Sequence, residues 1–374
     1  MHTKIHKLFE VLMDATRAQP QAALGWSSAA SPRLADFVAE LDHTMSLDWS
    51  GQSFQGMTAL RENVIRTHAP SGACTPDDVL ITAGTAEANF LAMCQLVQPG
   101  DEIIVDTPGW QQPVVLAQAI GCVLKPWHRH ESRAWSLDLN DLESLVTPRT
   151  RMIFICNPNN PTGRVTLDQE LRDIATNAGR VGAYVLCDEV YAGLEWAASR
   201  PTPICDLYER GISTSSVSKA LGLQGLRTGW MICRDAHVIL EAVVLRENTS
   251  EIMNVLGEAV AEIALRPARY SQALATARVD GARNLALLDS FIATRPELSW
   301  HKPQAGLIGF CKLGNDLDGD ALAARLLAEP HRTFAMPGSA YGFPRHVRLG
   351  VGGGAAANLE LGLERLAACL DAWK

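Results

Sequence analysis

Short apolar runs alternate with helical patterns along the chain from about residue 76. Five of these runs predict strands, at 79–83, 102–106, 151–156, 184–187 and 213–217. The run 151–156 has almost no polar alternation, which is typical of a strand buried on both faces of a parallel sheet. Apolar residues at helical spacing follow the first run, over 85–97. Strands and helices in this rhythm predict an open α/β sheet covered by helices.

Two pairs of polar residues predict where helices begin. Asn140 with Glu143 has the spacing of a capping box for a helix through Leu145. Thr166 with Gln169 has the same spacing and predicts the cap of the next helix.

The pattern changes after about residue 240. Helical patterns and short strand-like pieces are then mixed, with the helices at 242–265, 270–292, 319–328 and 355–372 and the strand-like pieces at 306–313 and 347–351. The first 45 residues also lack the alternation of strands and helices. We therefore predict a large domain at 46–245 and a smaller α+β domain made of 1–45 and 246–374.

Composition narrows the class of protein. The chain has 374 residues, 47% of them hydrophobic and 20% charged, as expected for a folded enzyme of one large core or two domains. A net charge of -8 without a basic block predicts neither a nucleic-acid nor a membrane partner. No run approaches roughly 18 apolar residues, so we expect no membrane-spanning helix.

The nine cysteines are scattered, without a CxxC motif or a cysteine–histidine spacing suited to zinc. We therefore expect no metal site and a reducing, cytoplasmic environment. No long apolar segment follows the first residues, so no signal peptide is expected.

The segment Ser216-Val217-Ser218-Lys219, followed by Arg227, is the first candidate for chemistry. Lysine can form an imine with an aldehyde cofactor, and hydroxyl groups with an arginine suit a phosphate. Alone, the tetrapeptide is a weak signal, because most such lysines are solvated surface residues.

Polar residues also follow three other predicted strands, where ligands bind in open parallel sheets. Gly84-Thr85-Ala86 begins a helix and offers free N–H groups to an anion. A glycine turn without a ligand is the more common case for such a segment. Asn157–Gly163 can aim the Asn160 amide into a cleft or form only a tight turn. Asp188 with Tyr191 can converge on one ligand, or Asp188 can cap a helix.

In their order and spacing these motifs resemble the class I and II aminotransferase group of fold type I pyridoxal-phosphate (PLP) enzymes. The resemblance covers roughly residues 50 to 370, and its most specific parts are Asn157–Gly163, Asp188–Tyr191 and Ser216–Lys219 with Arg227-Thr228-Gly229-Trp230. It implies a large domain with a mostly parallel seven-stranded sheet flanked by helices, plus the smaller α+β domain. A weaker similarity, in 105–108 and 125–127, links the chain to capreomycidine synthase-like members.

The resemblance implies roles around the cofactor ring. Lys219 holds PLP as an internal imine and then moves the substrate α-proton as general base. Asp188 pairs with the pyridine nitrogen and keeps it protonated. Asn160 and Tyr191 bind the ring hydroxyl oxygen, and Trp110 stacks on the ring face unless it is only a core residue.

The resemblance also implies the residues of the phosphate and substrate sites. The phosphate is held by residues of two turns and one arginine, namely Gly84, Thr85, Ala86, Ser216, Ser218 and Arg227. Arg348 binds the substrate α-carboxylate, with Asn160 and Trp110 beside it. An ordinary edge-strand arginine is the alternative for Arg348.

One departure from the family pattern concerns a neighbouring subunit. The family usually has a tyrosine five residues before the glycine of Gly56-x-x-x-Leu60-Arg61, where it reaches the partner's cofactor phosphate. This chain has Gly51 there, and the Thr249 hydroxyl is a candidate substitute. A homodimer with active sites near the interface remains expected.

The predicted function is transfer of an amino group between a monocarboxylate α-amino acid and a 2-oxo acid through a Schiff base on Lys219. The alternative is a PLP-dependent cyclase, lyase or oxidase of specialised amino-acid metabolism that acts on an arginine derivative. A basic substrate needs carboxylates in the side-chain pocket, and Glu87 and Glu251 are candidates. A non-catalytic regulator is disfavoured, because no space precedes the first motifs for a DNA-binding domain.

Overall fold

A computed structural model describes residues 2–48, 53–314, 316–353 and 356–373. Its strands are β1 Ala22–Ala23, β2 Val79–Thr82, β3 Glu102–Thr107, β4 Val123–His130, β5 Ser136–Leu137, β6 Thr150–Cys156, β7 Tyr184–Asp188, β8 Gly211–Ser216, β9 Gly229–Cys233, β10 Leu298–Trp300, β11 Ile308–Leu313, β12 Thr333–Phe334, β13 Met336–Pro337 and β14 His346–Gly350. Its α-helices are α1 Lys7–Ala18, α2 Ala35–Val38, α3 Thr58–His68, α4 Thr85–Leu96, α5 Gln112–Ile120, α6 Leu139–Leu145, α7 Asp168–Gly179, α8 Ile204–Leu207, α9 Ala236–Arg246, α10 Val255–Ala264, α11 Pro267–Ala293, α12 Gly319–Leu327 and α13 Ala356–Asp371.

The large sheet has the strand order β2-β9-β8-β7-β6-β3-β4-β5. Strands β8, β7, β6, β3 and β4 run parallel, whereas β9 is antiparallel to both of its neighbours. The predicted α/β fold with a mostly parallel sheet is therefore confirmed. The sheet exceeds the seven predicted strands by β5, a two-residue edge strand antiparallel to β4.

Successive residues of β6 explain why this strand is apolar on both faces. Met152 and Phe154 pack into one hydrophobic cluster with residues of α4, α5 and α9. Ile153 and Ile155 pack into a second cluster on the other face, with residues of α6 and α7. Side chains alternate between the faces of a strand, so a sheet covered by helices on both sides requires apolar residues at every position.

A second sheet has the order β10-β11-β14-β13 and is antiparallel throughout. The N-terminal segment reaches this part of the chain, because β1 pairs in parallel with β12. The division into domains at 46–245 and at 1–45 with 246–374 stays a prediction.

Two helices begin at different residues from those predicted. The cap of α6 is Asp138, whose side chain accepts from the Asn140 N–H at 3.0 Å, so Asn140 lies inside the helix. Helix α7 begins after Leu167, whose N–H donates to the Glu170 carboxylate at 2.7 Å. Thr166 lies one residue before that cap, and its hydroxyl accepts from the Arg129 guanidinium at 3.4 Å instead.

The segment 242–265 forms parts of two helices, α9 and α10. Asn254 caps α10 through its side-chain oxygen, which accepts from the Gly257 N–H at 3.0 Å. No helix within the described ranges has the length and apolar character needed to span a membrane.

Candidate active site

A cavity of about 200 Å³ opens at the carboxyl ends of β7 and β8, beside the N-terminus of α4. It is lined by Leu8, Leu12, Trp26, Ser27, Thr85, Ala86, Asn89, Trp110, Cys156, Asn160, Asp188, Val190, Tyr191, Ser216, Ser218, Lys219, Gln224, Arg227 and Arg348. The structure thus brings together every sequence-predicted site residue except Gly84, which precedes the lining residue Thr85.

Lys219 lies three residues beyond the end of β8, in a turn that presents its amine to the cavity. Its Nζ donates to the Ser27 Oγ at 3.3 Å. Burial and the positive charges of Arg348 and Arg227 together lower the pKa of this amine to about 8, while the negative charge of Asp188 acts in the opposite direction. A lysine with a lowered pKa has a larger fraction of neutral, nucleophilic amine near neutral pH.

Asp188 is the last residue of β7, a strand in which every residue is buried. Its Oδ2 accepts from the Asn89 side chain at 3.1 Å, and its Oδ1 accepts from the Val190 N–H at 3.2 Å. Burial raises the pKa of the carboxyl to about 6. A buried carboxylate of this kind is stabilised by a cationic partner, and a protonated ring nitrogen in the cavity would supply one.

Asn89 was not predicted, although its position carried a signal. It lies one helical turn after Thr85 on α4, and residues four apart share a face of a helix. Its Oδ1 accepts from the Thr214 hydroxyl at 2.8 Å, which leaves its amide N–H group directed at Asp188.

The N-terminus of α4 faces an arginine and two serines. Gly84 has a φ of 84°, and a Cβ there would lie 2.6 Å from the Arg227 Nη2. The Thr85 hydroxyl is buried and has no hydrogen-bond partner within the described part of the chain. Free N–H groups, an unpaired hydroxyl and a guanidinium form an anion site. Ser216 and Ser218 line the same cavity.

Arg348 lies on β14 and is 6% exposed. Its Nη2 donates to the Gly25 carbonyl at 2.6 Å, and its Nη1 donates to the Asn160 Oδ1 at 3.2 Å. The buried Nε has no partner among the residues described. Asn160 also accepts from the Tyr341 hydroxyl at 3.2 Å, so Asn160 and Arg348 form one arm of the cavity.

The three asparagines of the 157–163 turn have different tasks. Asn157 donates to the Thr166 carbonyl at 3.0 Å, and Asn159 donates to the Asp106 carboxylate at 3.0 Å. These two hold the turn, whereas Asn160 lines the cavity.

Trp110 follows β3 on a turn that is fixed by a buried ion pair. Arg129 donates twice to Asp106 Oδ2, at 2.8 and 2.9 Å, and the side chains of both residues are at most 1% exposed. The Trp110 indole N–H donates to Gln112 at 3.3 Å, and His6 contacts the ring edge-on with the centroids 5.8 Å apart.

Tyr191 is hydrogen-bonded to the N-terminal segment. Its hydroxyl donates to the Ser27 Oγ at 2.9 Å, while Asn160 is occupied by Arg348 and Tyr341. Burial raises the pKa of this hydroxyl, which therefore stays protonated near neutral pH.

The N-terminal segment supplies four lining residues that the sequence did not reveal, Leu8, Leu12, Trp26 and Ser27. They belong to no motif and lie more than 190 positions before Lys219, so the sequence around them gives no local signal.

Four further candidates concern a contact with a neighbouring subunit and carboxylates for a basic substrate. Gly51 falls outside the described residues. Thr249 donates to Glu87 at 2.8 Å, and Glu87 also accepts from the Ala83 N–H at 2.6 Å. Neither glutamate, Glu87 nor Glu251, is among the described residues that line the cavity.

The donor set fits PLP, because it contains an amine for the aldehyde, a buried carboxylate for the ring nitrogen and an unpaired hydroxyl at an anion site. Lys219, Asp188 and Thr85 line the same cavity of about 200 Å³, so one ligand can contact all of them.

Comparisons with known proteins agree with this fit. The profile of the family described as aminotransferase class I and II matches residues 39–366. Capreomycidine synthase of Streptomyces vinaceus is 32% identical over 280 residues, which are 73% of this chain and 69% of that protein. Tyrosine aminotransferase of Bos taurus is 29% identical over 205 residues, 54% of this chain and 46% of that protein.

Among solved structures, a PLP-dependent aminotransferase from Streptococcus suis 89-1591 superposes with a TM-score of 0.91 at 28% identity. The superposition covers 100% of this chain and 99% of that chain.

Proposed function

This chain belongs to the aminotransferase class I and II family and is a PLP-dependent enzyme, and from this premise we propose how its residues act. The proposed reaction transfers an amino group between a monocarboxylate α-amino acid and a 2-oxo acid. Bound PLP supplies an electron sink that makes the substrate α-proton removable. The remaining chemistry falls to side chains of the cavity.

The observation that carries this proposal is that Lys219, Asp188 and Arg348 line one cavity, where the charges of Asp188 and Arg348 both act on the Lys219 amine. We assign Lys219 to the covalent attachment of PLP and, once released, to proton transfer at the substrate Cα. The pKa of about 8 suits this general base, because a useful fraction is neutral near pH 7. Asp188 pairs with the ring nitrogen, and Tyr191 orients the ring from the side of Lys219.

The phosphate is assigned to the anion site at the N-terminus of α4. Its members are Gly84, Thr85, Ala86, Ser216, Ser218 and Arg227. Trp110 covers one ring face, and Arg348 binds the substrate α-carboxylate with Asn160 beside it.

The rest of the cavity favours a substrate without a second charge. The lining cations Lys219, Arg227 and Arg348 are all assigned, so a side-chain carboxylate finds no further cation among the described lining residues. The remaining wall includes Leu8, Leu12 and other apolar residues.

A second candidate is a cyclase, lyase or oxidase that acts on an arginine derivative. The similarity to capreomycidine synthase favours it. The lining residues do not, because Asp188 is the only carboxylate in the described wall and it is assigned to the cofactor.

The test is incubation of the purified protein with a panel of amino acids and either pyruvate or 2-oxoglutarate. A new amino acid with a matching 2-oxo acid supports transamination. A cyclised or oxidised product from an arginine derivative, with no amino acid formed from the added 2-oxo acid, supports the second candidate instead. The Lys219→Ala variant serves as the control and should be inactive in both assays.

We further propose a cytoplasmic homodimer with active sites near the interface and domains at 46–245 and at 1–45 with 246–374. The free thiols of all nine cysteines are consistent with a reducing compartment. Exposed apolar residues near the end of the N-terminal segment and on α10, Leu47 and Leu256, suit a partner surface. Light scattering should give twice the chain mass of 40.5 kDa, and a value equal to one chain mass would exclude the dimer.

A further inference from the structure

Ser27 links two site residues that the proposed function assigns to separate tasks. Its Oγ accepts from the Tyr191 hydroxyl at 2.9 Å and from the Lys219 amine at 3.3 Å. A hydroxyl oxygen has two acceptor lone pairs and one proton, so both lone pairs are occupied in this arrangement. Among the described residues, Ser27 is the hydrogen-bond partner of the Lys219 amine.

The backbone around Ser27 is held tightly from two sides. The Ala29 N–H donates to the Lys219 carbonyl at 2.8 Å, and the Gly353 N–H donates to the Ser28 carbonyl at 2.5 Å. The segment is thus tied both to the turn that carries Lys219 and to the chain after β14.

Three glycines permit this close approach. A Cβ at Gly350 would collide with the Trp26 carbonyl oxygen, one at Gly352 with the Ser28 carbonyl oxygen, and one at Gly222 with the Ala30 carbonyl oxygen. Only residues without a side chain fit at such distances. Ser27 itself is 3% exposed, so its hydroxyl has little freedom to turn towards solvent.

We propose that Ser27 is a positioning residue for the free Lys219 amine. After the lysine is released from the cofactor, the Ser27 hydroxyl connects the Lys219 Nζ to the Tyr191 hydroxyl. The inference rests on the proposed function, because it matters only if Lys219 is the residue that attaches PLP. When the amine is protonated, Ser27 accepts from it. When the amine is neutral, the Ser27 hydroxyl can donate its own proton to the nitrogen lone pair, so the contact persists in both states.

This arrangement predicts a change in the acidity of the amine when the hydroxyl is removed. Burial lowers the pKa of Lys219. The hydrogen bond that the Lys219 ammonium donates to Ser27 favours the charged form and therefore opposes this effect. In Ser27→Ala that opposing contact is lost, so the pKa of the amine should fall further.

The test uses the full-length chain freed of PLP. A small acylating reagent is applied across a range of pH, and mass spectrometry follows acylation of the peptide that contains Lys219. At neutral pH we expect Ser27→Ala to react about three- to fivefold faster than the unchanged protein, with the midpoint moved to lower pH. Ser27→Thr, which keeps the hydroxyl, should restore the midpoint.

Ser28→Ala is the matched control, because Ser28 is also buried in the same segment but its side chain has no hydrogen bond to a site residue within the described part of the chain. The proposal is overturned if Ser27→Ala and Ser28→Ala share one midpoint, or if Ser27→Thr behaves like Ser27→Ala. In the PLP-loaded enzyme, Ser27→Ala should lower kcat by about tenfold and leave KM unchanged, since Ser27 contacts Lys219 rather than substrate.

Failure of the underlying function gives a different result. If Lys219→Ala remains fully active, the assignment of Lys219 is wrong whatever the Ser27 variants do. If Lys219→Ala is inactive and the Ser27→Ala midpoint does not move, only the role of Ser27 is wrong.

Discussion

At the residue scale, Asp188 places a carboxyl group where burial disfavours its charge. Its pKa is raised from 3.8 to about 6, so the folded chain holds this proton more tightly than the unfolded chain does. The stabilisation due to that proton is therefore complete below pH 3.8 and is lost as the pH rises through about 6. Near neutral pH the PLP-free protein carries the cost of the buried charge.

We expect Asp188→Asn to stabilise the PLP-free protein by about 2 kcal/mol near pH 7.5 and to change little near pH 4. Urea unfolding at both pH values measures this difference. Asp141→Asn, at an exposed aspartate, should show neither effect. An equal effect of Asp188→Asn at both pH values would contradict a raised pKa.

Arg348 combines burial with an unpaired Nε, which leaves part of its planar donor set available for a carboxylate. Lysine retains the charge but cannot form two parallel hydrogen bonds. We expect Arg348→Lys to raise KM for the amino acid by about 10- to 100-fold with a smaller change in kcat. Steady-state kinetics with the substrate found in the amino-acid panel measures both.

Arg345→Lys is the control for that prediction, because Arg345 is half-exposed and pairs with the exposed Asp316. Equal KM values for the two lysine variants would remove Arg348 from the substrate site.

At the element scale, the pair of Asp106 on β3 with Arg129 on β4 joins neighbouring strands beneath the turn that carries Trp110. Removing one partner of a buried pair leaves an uncompensated charge. We expect Arg129→Met to lower the free energy of unfolding by about 3–5 kcal/mol. Arg133→Met, at an exposed arginine, should cost at most about 1 kcal/mol. Urea unfolding measures both free energies, and equal losses for the two variants would contradict a stabilising role of the buried pair.

The sequence predicted β6 and β7, where the apolar pattern was continuous. Strand β7 is buried throughout and β6 is buried except at Arg151, so the runs 152–156 and 184–187 had no polar interruptions. Strand β9 is also buried throughout but was not predicted. Strand β4 escaped prediction, because it alternates lysine, histidine and arginine with apolar residues and is partly exposed. The starts of α6 and α7 were misplaced because several neighbouring polar residues can each cap a helix. Only the hydrogen bonds of Asp138 and Glu170 in the structure show where each helix begins.

The site was predictable to the extent that its residues follow strands. Asp188 ends β7, and Asn160 and Lys219 lie a few residues after the ends of β6 and β8. Parallel strands bring those ends to one edge of the sheet. Ser27 and Leu12 reach the same cavity through tertiary packing, which no short pattern in the N-terminal segment encodes.

At the scale of the whole molecule, the cavity lies where three parts of the chain meet. The sheet of β2 to β9 supplies the residues assigned to PLP, β14 supplies Arg348, and the N-terminal segment supplies Ser27 and the apolar wall. The apolar wall of the N-terminal segment, which includes Leu8 and Leu12, is assigned to the choice of substrate, whereas Ser27 of the same segment contacts Lys219. Variation at Leu8 and Leu12 can therefore alter the substrate without removing a residue assigned to PLP.

The most direct test of the account is to locate PLP on the chain. The protein purified with PLP is reduced with borohydride, which makes a lysine attachment permanent, and its peptides are then analysed by mass spectrometry. We expect the cofactor mass on the peptide that contains Lys219 and its absence from the same peptide of Lys219→Ala. Attachment to another lysine of the unchanged protein, or no attachment at all, would contradict it.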